Sequence, residues 1–194
     1  MNVISHQRIL DYWFGEPESP GYGKPRKQWF VKNPDFDRDI CDHFNKTYEK
    51  ARSLDNLNQC LETPLDYLAI ILLFDQFSRQ MFRGTPQAFA TDAKALGLAQ
   101  SVVNKALEQQ LLPVQRWFIY LPFEHSENLS HQYRAVQLFQ SLIDDLDSAS
   151  TIDYAKRHLA VIERFGRFPH RNAILGRKNT PEETDFLKQP GSSF

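Results

Sequence analysis

Apolar residues recur at three- and four-residue spacing along almost the whole chain, and that period commits it to helices. From Asp35, the positions Phe36, Ile40, Phe44, Tyr48 and Ala51 form one stripe with charges between them, as an amphipathic helix requires. Ile9, Leu10, Trp13 and Phe14 begin an earlier segment, ended by Gly15 and the stretch EPESPGYGKP. Trp29 and Phe30 follow in a connector whose rings are expected to pack on the core. Thr63 as N-cap, Pro64 at the first helical position and Asp66 in the first turn start another helix. It should run to about Phe82 and stop before Gly84. A long helix is expected after Pro86, through Ala88, Phe89, Ala93, Leu96, Ala99, Val103 and Leu107. Pro113 opens a short apolar helix that Pro122 is expected to end. Residues 127–147 and 151–165 read as two more amphipathic helices, and TPEE (180–183) as a capping box opening a short C-terminal one.

No strand pair is readable, and no Asn-Gly or Asp-Gly turn joins alternating apolar runs. The expected fold is therefore all-α, a single domain over residues 1–194. Short connectors imply antiparallel helical hairpins, arranged as a tetratricopeptide-like array or an irregular bundle. The formal net charge of −1, with both signs mixed along the chain, gives no electrostatic reason to seek nucleic acid or an anionic membrane. The most apolar run, LAIILLF (68–74), is too short to span a bilayer. The N-terminal stretch MNVISHQRILDYWFG shows no secretory signal pattern. Cys41 and Cys60 make no disulfide framework, and Cys41 on an apolar stripe reads as a buried reduced thiol. A cytoplasmic location is the expectation.

Candidate chemistry lies where polar groups interrupt apolar stripes. On a regular helix Leu68, Ile71, Leu72, Asp75, Arg79 and Phe82 share a face, which puts Asp75 on the buried side. A buried carboxylate needs a partner, and Arg79 stands four residues later in the favourable acid-before-base order. Arg83 lies a turn further on. The pair is either an internal salt bridge or a carboxylate orienting a guanidinium toward a ligand anion. In YLPFEHSENLSHQ (120–132), Ser126 reads as an N-cap, whereas Glu124 and His125 meet no local capping need. As a pair they are candidates for general acid–base work, or for ion pairs with arginines elsewhere.

A third place is ERFGRFPHRN (163–172). Gly166 is suited to close a helix in the left-handed region, and Pro169 disfavours helical geometry for Phe168, making RFPHRN an extended or turn segment. Arg167, His170 and Arg171 then project from a fixed turn, as donors to an anion or as counter-charges to Asp75 and Glu124. His158, one turn before Ile162, reads as a core histidine. No metal-ligand spacing, hydrolase elbow or phosphate loop occurs, so neither metal nor cofactor is expected.

The stretches ILDYWFG (9–15), WF (29–30), ILLFDQFSRQMFRGTPQAFATD (71–92), YLPFEHSE (120–127) and HLAVIERFGRFPHRNAILGRKNTPEE (158–183) resemble the bacterial domain of unknown function 924. The resemblance covers nearly the whole chain. It implies one all-helical domain similar to tetratricopeptide-like arrays, and brings no established activity. The family pattern has Pro and Asn where this chain has Ser78 and Gln80, and Ser where it has Asn179. These departures miss every acidic, basic and imidazole group named above.

Three functions fit these residues. The leading one is a binding module whose polar pocket, built from Asp75, Arg79, Arg83, Glu124, His125, Arg167, His170 and Arg171, takes a small anionic ligand or a peptide carboxylate. The second is an enzyme, hydrolase-like, with Glu124 and His125 as acid and base. The third is a scaffold in which all these charges pair internally.

Overall fold

The computed structural model describes residues 4–55 and 57–192, which contain eight helices and no strand. The first three residues of the N-terminal stretch considered above lie outside that range. Helix α1 is His6–Phe14 and α2 is Pro34–Arg52. Helix α3 starts as Pro64–Ile71, widens to a π-helix over Leu72–Phe77, and ends as the α-turn Ser78–Met81. Then come α4 (Asp92–Asn104), α5 (Pro113–Glu124), α6 (Leu129–Gln140), α7 (Ala149–Phe165) and α8 (Pro181–Leu187). Helices α1, α2, α4 and α5 pack around α3, α6 packs on α5, and α7 on α6. The chain belongs to the all-α class, and no helix among the described residues is long and apolar enough to cross a membrane.

The sequence of α3 explains its central place. Thr63 Oγ1 accepts from the Asp66 N–H (3.2 Å), and the Asp66 carboxylate accepts from the Thr63 N–H (2.8 Å). This reciprocal box satisfies donors that a helix start otherwise leaves over. From Tyr67 to Phe74 the helix is apolar on every side, which suits only a helix enclosed by others. Leu68, Ile70, Ile71, Leu72, Leu73, Phe74 and Phe77 are all 0% exposed. At about 1.5–3 kcal/mol for each such side chain, their burial contributes on the order of 10–20 kcal/mol before chain entropy. That outweighs the several kcal/mol needed to desolvate a charge among them.

The π segment follows from side chains competing for its carbonyls. The Phe74 carbonyl accepts from Ser78 Oγ (2.7 Å) and from Thr91 Oγ1 (2.7 Å), and the Asp75 carbonyl accepts from Arg79 Nη1 (2.6 Å). Backbone N–H groups reach past these occupied acceptors, and the turn widens. The period of the face drawn through Asp75 and Phe82 is regular only as far as Ile71, but Leu72 and Asp75 are buried as it expects and Arg79 still reaches Asp75 at 3.3 Å.

Other local signals resolve as follows. Trp13 and Trp29 stack at 5.6 Å between centroids, and both meet the Phe118 edge. Trp29 is buried, whereas Phe30, expected beside it in the core, is 57% exposed. Pro122 does not end α5. Its missing N–H falls in the last turn, burial of Leu121, Phe123 and Glu124 draws the helix onward, and the His125 N–H still donates to the Leu121 carbonyl (2.8 Å). The helix expected from Pro86 splits into a 3₁₀ turn (Pro86–Phe89) and α4, and Thr91, between them, donates its hydroxyl to the Phe74 carbonyl. Asn128, not Ser126, caps α6, which stops at Gln140 rather than near 147. Ser126 Oγ instead lies 2.9 Å from His131 Nδ1. Gly166 closes α7 at φ 68°, in the left-handed region, as its position predicts. Cys41 is half-buried rather than buried, and Cys60 is exposed.

Candidate functional site

The π turn brings Asp75 to the middle of the molecule, and three other segments meet it there. The start of α4 supplies Asp92, preceded by Phe89; the end of α5 supplies Glu124 and His125. Helix α7 and the turn after Gly166 supply His158, Phe168, His170 and Arg171. Asp75 is fully buried. One carboxylate oxygen lies 2.8 Å from His125 Nδ1 and 3.3 Å from Arg79 Nη1, and the other accepts from Gln76 Nε2 (2.6 Å). Burial alone would raise this carboxyl, but the Arg79 charge and His125 hold it well below the ordinary carboxylate range. An ionised carboxylate only accepts, so His125 carries its proton on Nδ1 and leaves Nε2 basic.

Arg79 extends the chain of charges by gripping Asp92 with two nitrogens, at 3.0 and 3.1 Å. Asp92 is thereby largely taken, and the second cation facing it, Arg171, reaches it only at 3.6 Å through Nη1. The Arg171 guanidinium is clamped between Phe168 and Phe89, with ring centroids 4.5 and 4.8 Å from Cζ. Its Nε–H has no acceptor although the residue is only 6% exposed. Burial, and then the neighbouring Arg79 charge, push Arg171 down to about 10, which still leaves it charged at neutral pH.

Glu124 goes elsewhere. It is 2% exposed and turned to His158, whose Nδ1 lies 3.0 Å from Oε1 and 2.9 Å from the Tyr154 carbonyl. Burial, with the Asp75 charge behind it, raises the Glu124 carboxyl far above the usual carboxylate range. Burial lowers His158 well below an ordinary imidazole. Burial therefore opposes charge on both partners of this close pair. His125 is also lowered, by burial and then by Arg79. His170 falls to about 4, by burial and then by Arg171.

Of the residues singled out in the sequence, Asp75, Arg79, Glu124, His125, His170 and Arg171 come together. Arg83 and Arg167 do not join them. Arg83 grips Asp37 of α2 (2.7 and 2.8 Å), and Arg167 grips Glu183 of α8 (2.6 and 2.8 Å). Asp75 and Glu124, the counter-charges expected for the arginines of the 163–172 turn, face His125 and His158 instead. Asp92, Phe89 and Gln76 were not singled out. Asp92 has a sequence signal, as an acid in a first helical turn, but only once the break at Thr91 is known. Two cavities lie elsewhere in the described residues, of ≈ 440 Å³ beside Leu57 and Lys94 and of ≈ 80 Å³ beside Phe14 and Gln115. None of the candidate residues lines either; the cluster meets solvent along the edge carrying Arg79, Asp92 and His125, and at the half-buried His170.

An all-helical protein built on one enclosed helix, with a mixed-charge cluster at a π turn, is the class these features define. Residues 9–191 match the bacterial proteins of unknown function grouped as DUF924, and the chain belongs to that family. The solved structure of the Agrobacterium tumefaciens protein of unknown function ATU0120 is similar to it. The two are 36% identical, the match covers 94% of this chain and 96% of that one, and the TM-score is 0.82. No curated protein matches the chain.

Proposed function

We propose that the protein binds a small anion, or the carboxylate of a peptide, at the solvent edge of this cluster, with Arg171 as the principal donor. One observation carries the reading. Arg79, Arg83 and Arg167 each hold a carboxylate with two nitrogens, whereas Arg171 is as buried as a structural arginine and lacks such a grip. A guanidinium held by aromatic faces and left short of acceptors is prepared for an incoming anion. His125 and His170 stand beside it, and Arg83 and Arg167 fall outside the set. In the same reading the successive packing of α5, α6 and α7 forms a tetratricopeptide-like array that presents the edge to a chain terminus.

The test is thermal denaturation with phosphate, acetate and short peptides. A ligand at about 100 times its Kd stabilises by about 2.7 kcal/mol, which raises Tm by several degrees. Arg171→Gln should abolish the shift and Arg83→Gln should keep it. No shift from any anion, or equal shifts in both variants, refutes the proposal.

A second reading has its own support in the Asp75–His125 contact, because a carboxylate on Nδ1 orients a histidine as a general base. Glu124, its expected partner, is sealed against His158 and takes no part. Hydrolysis of an ester or phosphoester panel by the wild type and not by His125→Asn would favour it; equal rates would exclude it.

A further inference from the structure

Resting on the anion site just described, we infer that its ligand is a carboxylate monoanion, and that it enters together with one proton, which His125 takes up at Nε2. The argument begins with the charges present. Asp75 and Asp92 are negative, Arg79 and Arg171 positive, and the four are linked by contacts of 3.0–3.6 Å. The cluster is already balanced. A further negative charge in so water-poor a place is costly unless a positive one appears with it.

Three imidazoles are near enough to supply one. His158 is not available to a ligand, being sealed and turned to Glu124 and the Tyr154 carbonyl. His170 adjoins the Arg171 cation, which opposes a second positive charge; Arg79 and Arg171 oppose one on His125 too, but there the Asp75 carboxylate at 2.8 Å offsets them. His125 faces Asp75, Gln76 and Arg79 from α3, His158 from α7 and His170 and Arg171 from the following turn, with Glu124 beside it on its own helix. Its Nδ1–H already points at the Asp75 carboxylate, the arrangement that stabilises an imidazolium once Nε2 is protonated. Its side chain is also 15% exposed, so the ring reaches the edge where a ligand arrives.

The ligand class follows from the same count. One new imidazolium balances one negative charge, so a monoanion fits and a dianion does not. On Arg171, Nη1 is the nitrogen turned to Asp92, which leaves the Nε/Nη2 edge as a planar fork matched to a carboxylate.

Isothermal titration of the full chain with acetate tests this, using buffers of different ionisation enthalpy near neutral pH and sulfate in parallel. The expected result is uptake of about one proton per acetate, with affinity rising about tenfold for each pH unit lowered. His125→Asn should bind without uptake and without that slope, and Arg83→Gln should keep both. If His125→Asn does not fold, the His125 imidazole resonances of the wild type should move to imidazolium positions as acetate is added. Acetate binding without proton uptake, uptake surviving in His125→Asn, or unmoved resonances overturn the inference and leave the anion site standing. Sulfate binding without acetate binding overturns the carboxylate assignment. Failure of both anions to bind removes the anion site, and this inference with it.

Discussion

Replacing Asp75 with asparagine keeps the shape of the side chain and removes the charge at the centre of the cluster. In the native protein that carboxylate meets His125 Nδ1 at 2.8 Å, Gln76 Nε2 at 2.6 Å and Arg79 Nη1 at 3.3 Å. All three contacts point a donor at it, and an amide offers only one acceptor in return. Removing one partner of a buried pair costs about 3–5 kcal/mol, because the charge left behind is uncompensated. Arg79 is not left alone here, since Asp92 still holds it with two bonds. The expected loss is therefore at the lower end, about 3 kcal/mol. With a urea slope of about 2–3 kcal/mol per M, the midpoint should fall by about 1–1.5 M while the slope stays unchanged. The pH profile gives an independent sign. Asp75 has a folded pKa below its unfolded one, so its stabilisation is present above about pH 4 and is lost as the pH falls further. The variant should lose that limb of acid unfolding. A midpoint within a few tenths of a molar of wild type, with the acid limb intact, would refute the account of Asp75 as an ionised hub.

Other expectations follow from the same contacts. Arg83→Gln removes a partly exposed pair with Asp37 and should cost under about 1 kcal/mol in the same titration. Thr180→Ala removes the hydroxyl that caps α8 and should cost about 1 kcal/mol. His170 titrates near 4 when folded and near 6.5 when unfolded, so the unfolded chain takes the proton first. Stability should therefore fall by roughly 3 kcal/mol as the pH drops across that window, and His170→Asn should flatten the fall. Glu124 has the opposite sign. Its folded pKa is raised, so the unfolded chain ionises first and stability falls as the pH rises above about 4.5. Glu124→Gln should leave stability at neutral pH unchanged or higher, and a large loss there would contradict a neutral Glu124.

Much of the helix pattern is legible because its signals are local. Thr63, Pro64 and Asp66 sit within one turn of each other, as do Thr180, Pro181 and Glu183, and each set closes the box its spacing implies. The Asp75–Arg79 contact is also local, four residues apart on one helix. What escapes is set by distant partners. The Phe74 carbonyl that widens α3 is held by Thr91, 17 residues on, and Thr91 is also where the helix expected from Pro86 is broken. Arg167 finds Glu183 and Arg83 finds Asp37, neither of which any local rule selects. Pro122 fails as a stop because burial beyond it outweighs one missing bond.

The widened turn at Leu72–Phe77 makes the residue count of α3 matter at one place. Loops absorb insertions, but a helix enclosed on all sides has nowhere to put a change in length. Deleting one residue between Leu72 and Phe77 would return the backbone to regular α geometry. It would also swing Arg79 and everything beyond it around the axis, away from Asp92. Such a deletion should yield a folded protein with a rearranged cluster, whereas the same deletion in the connector before Lys27 should leave the cluster intact.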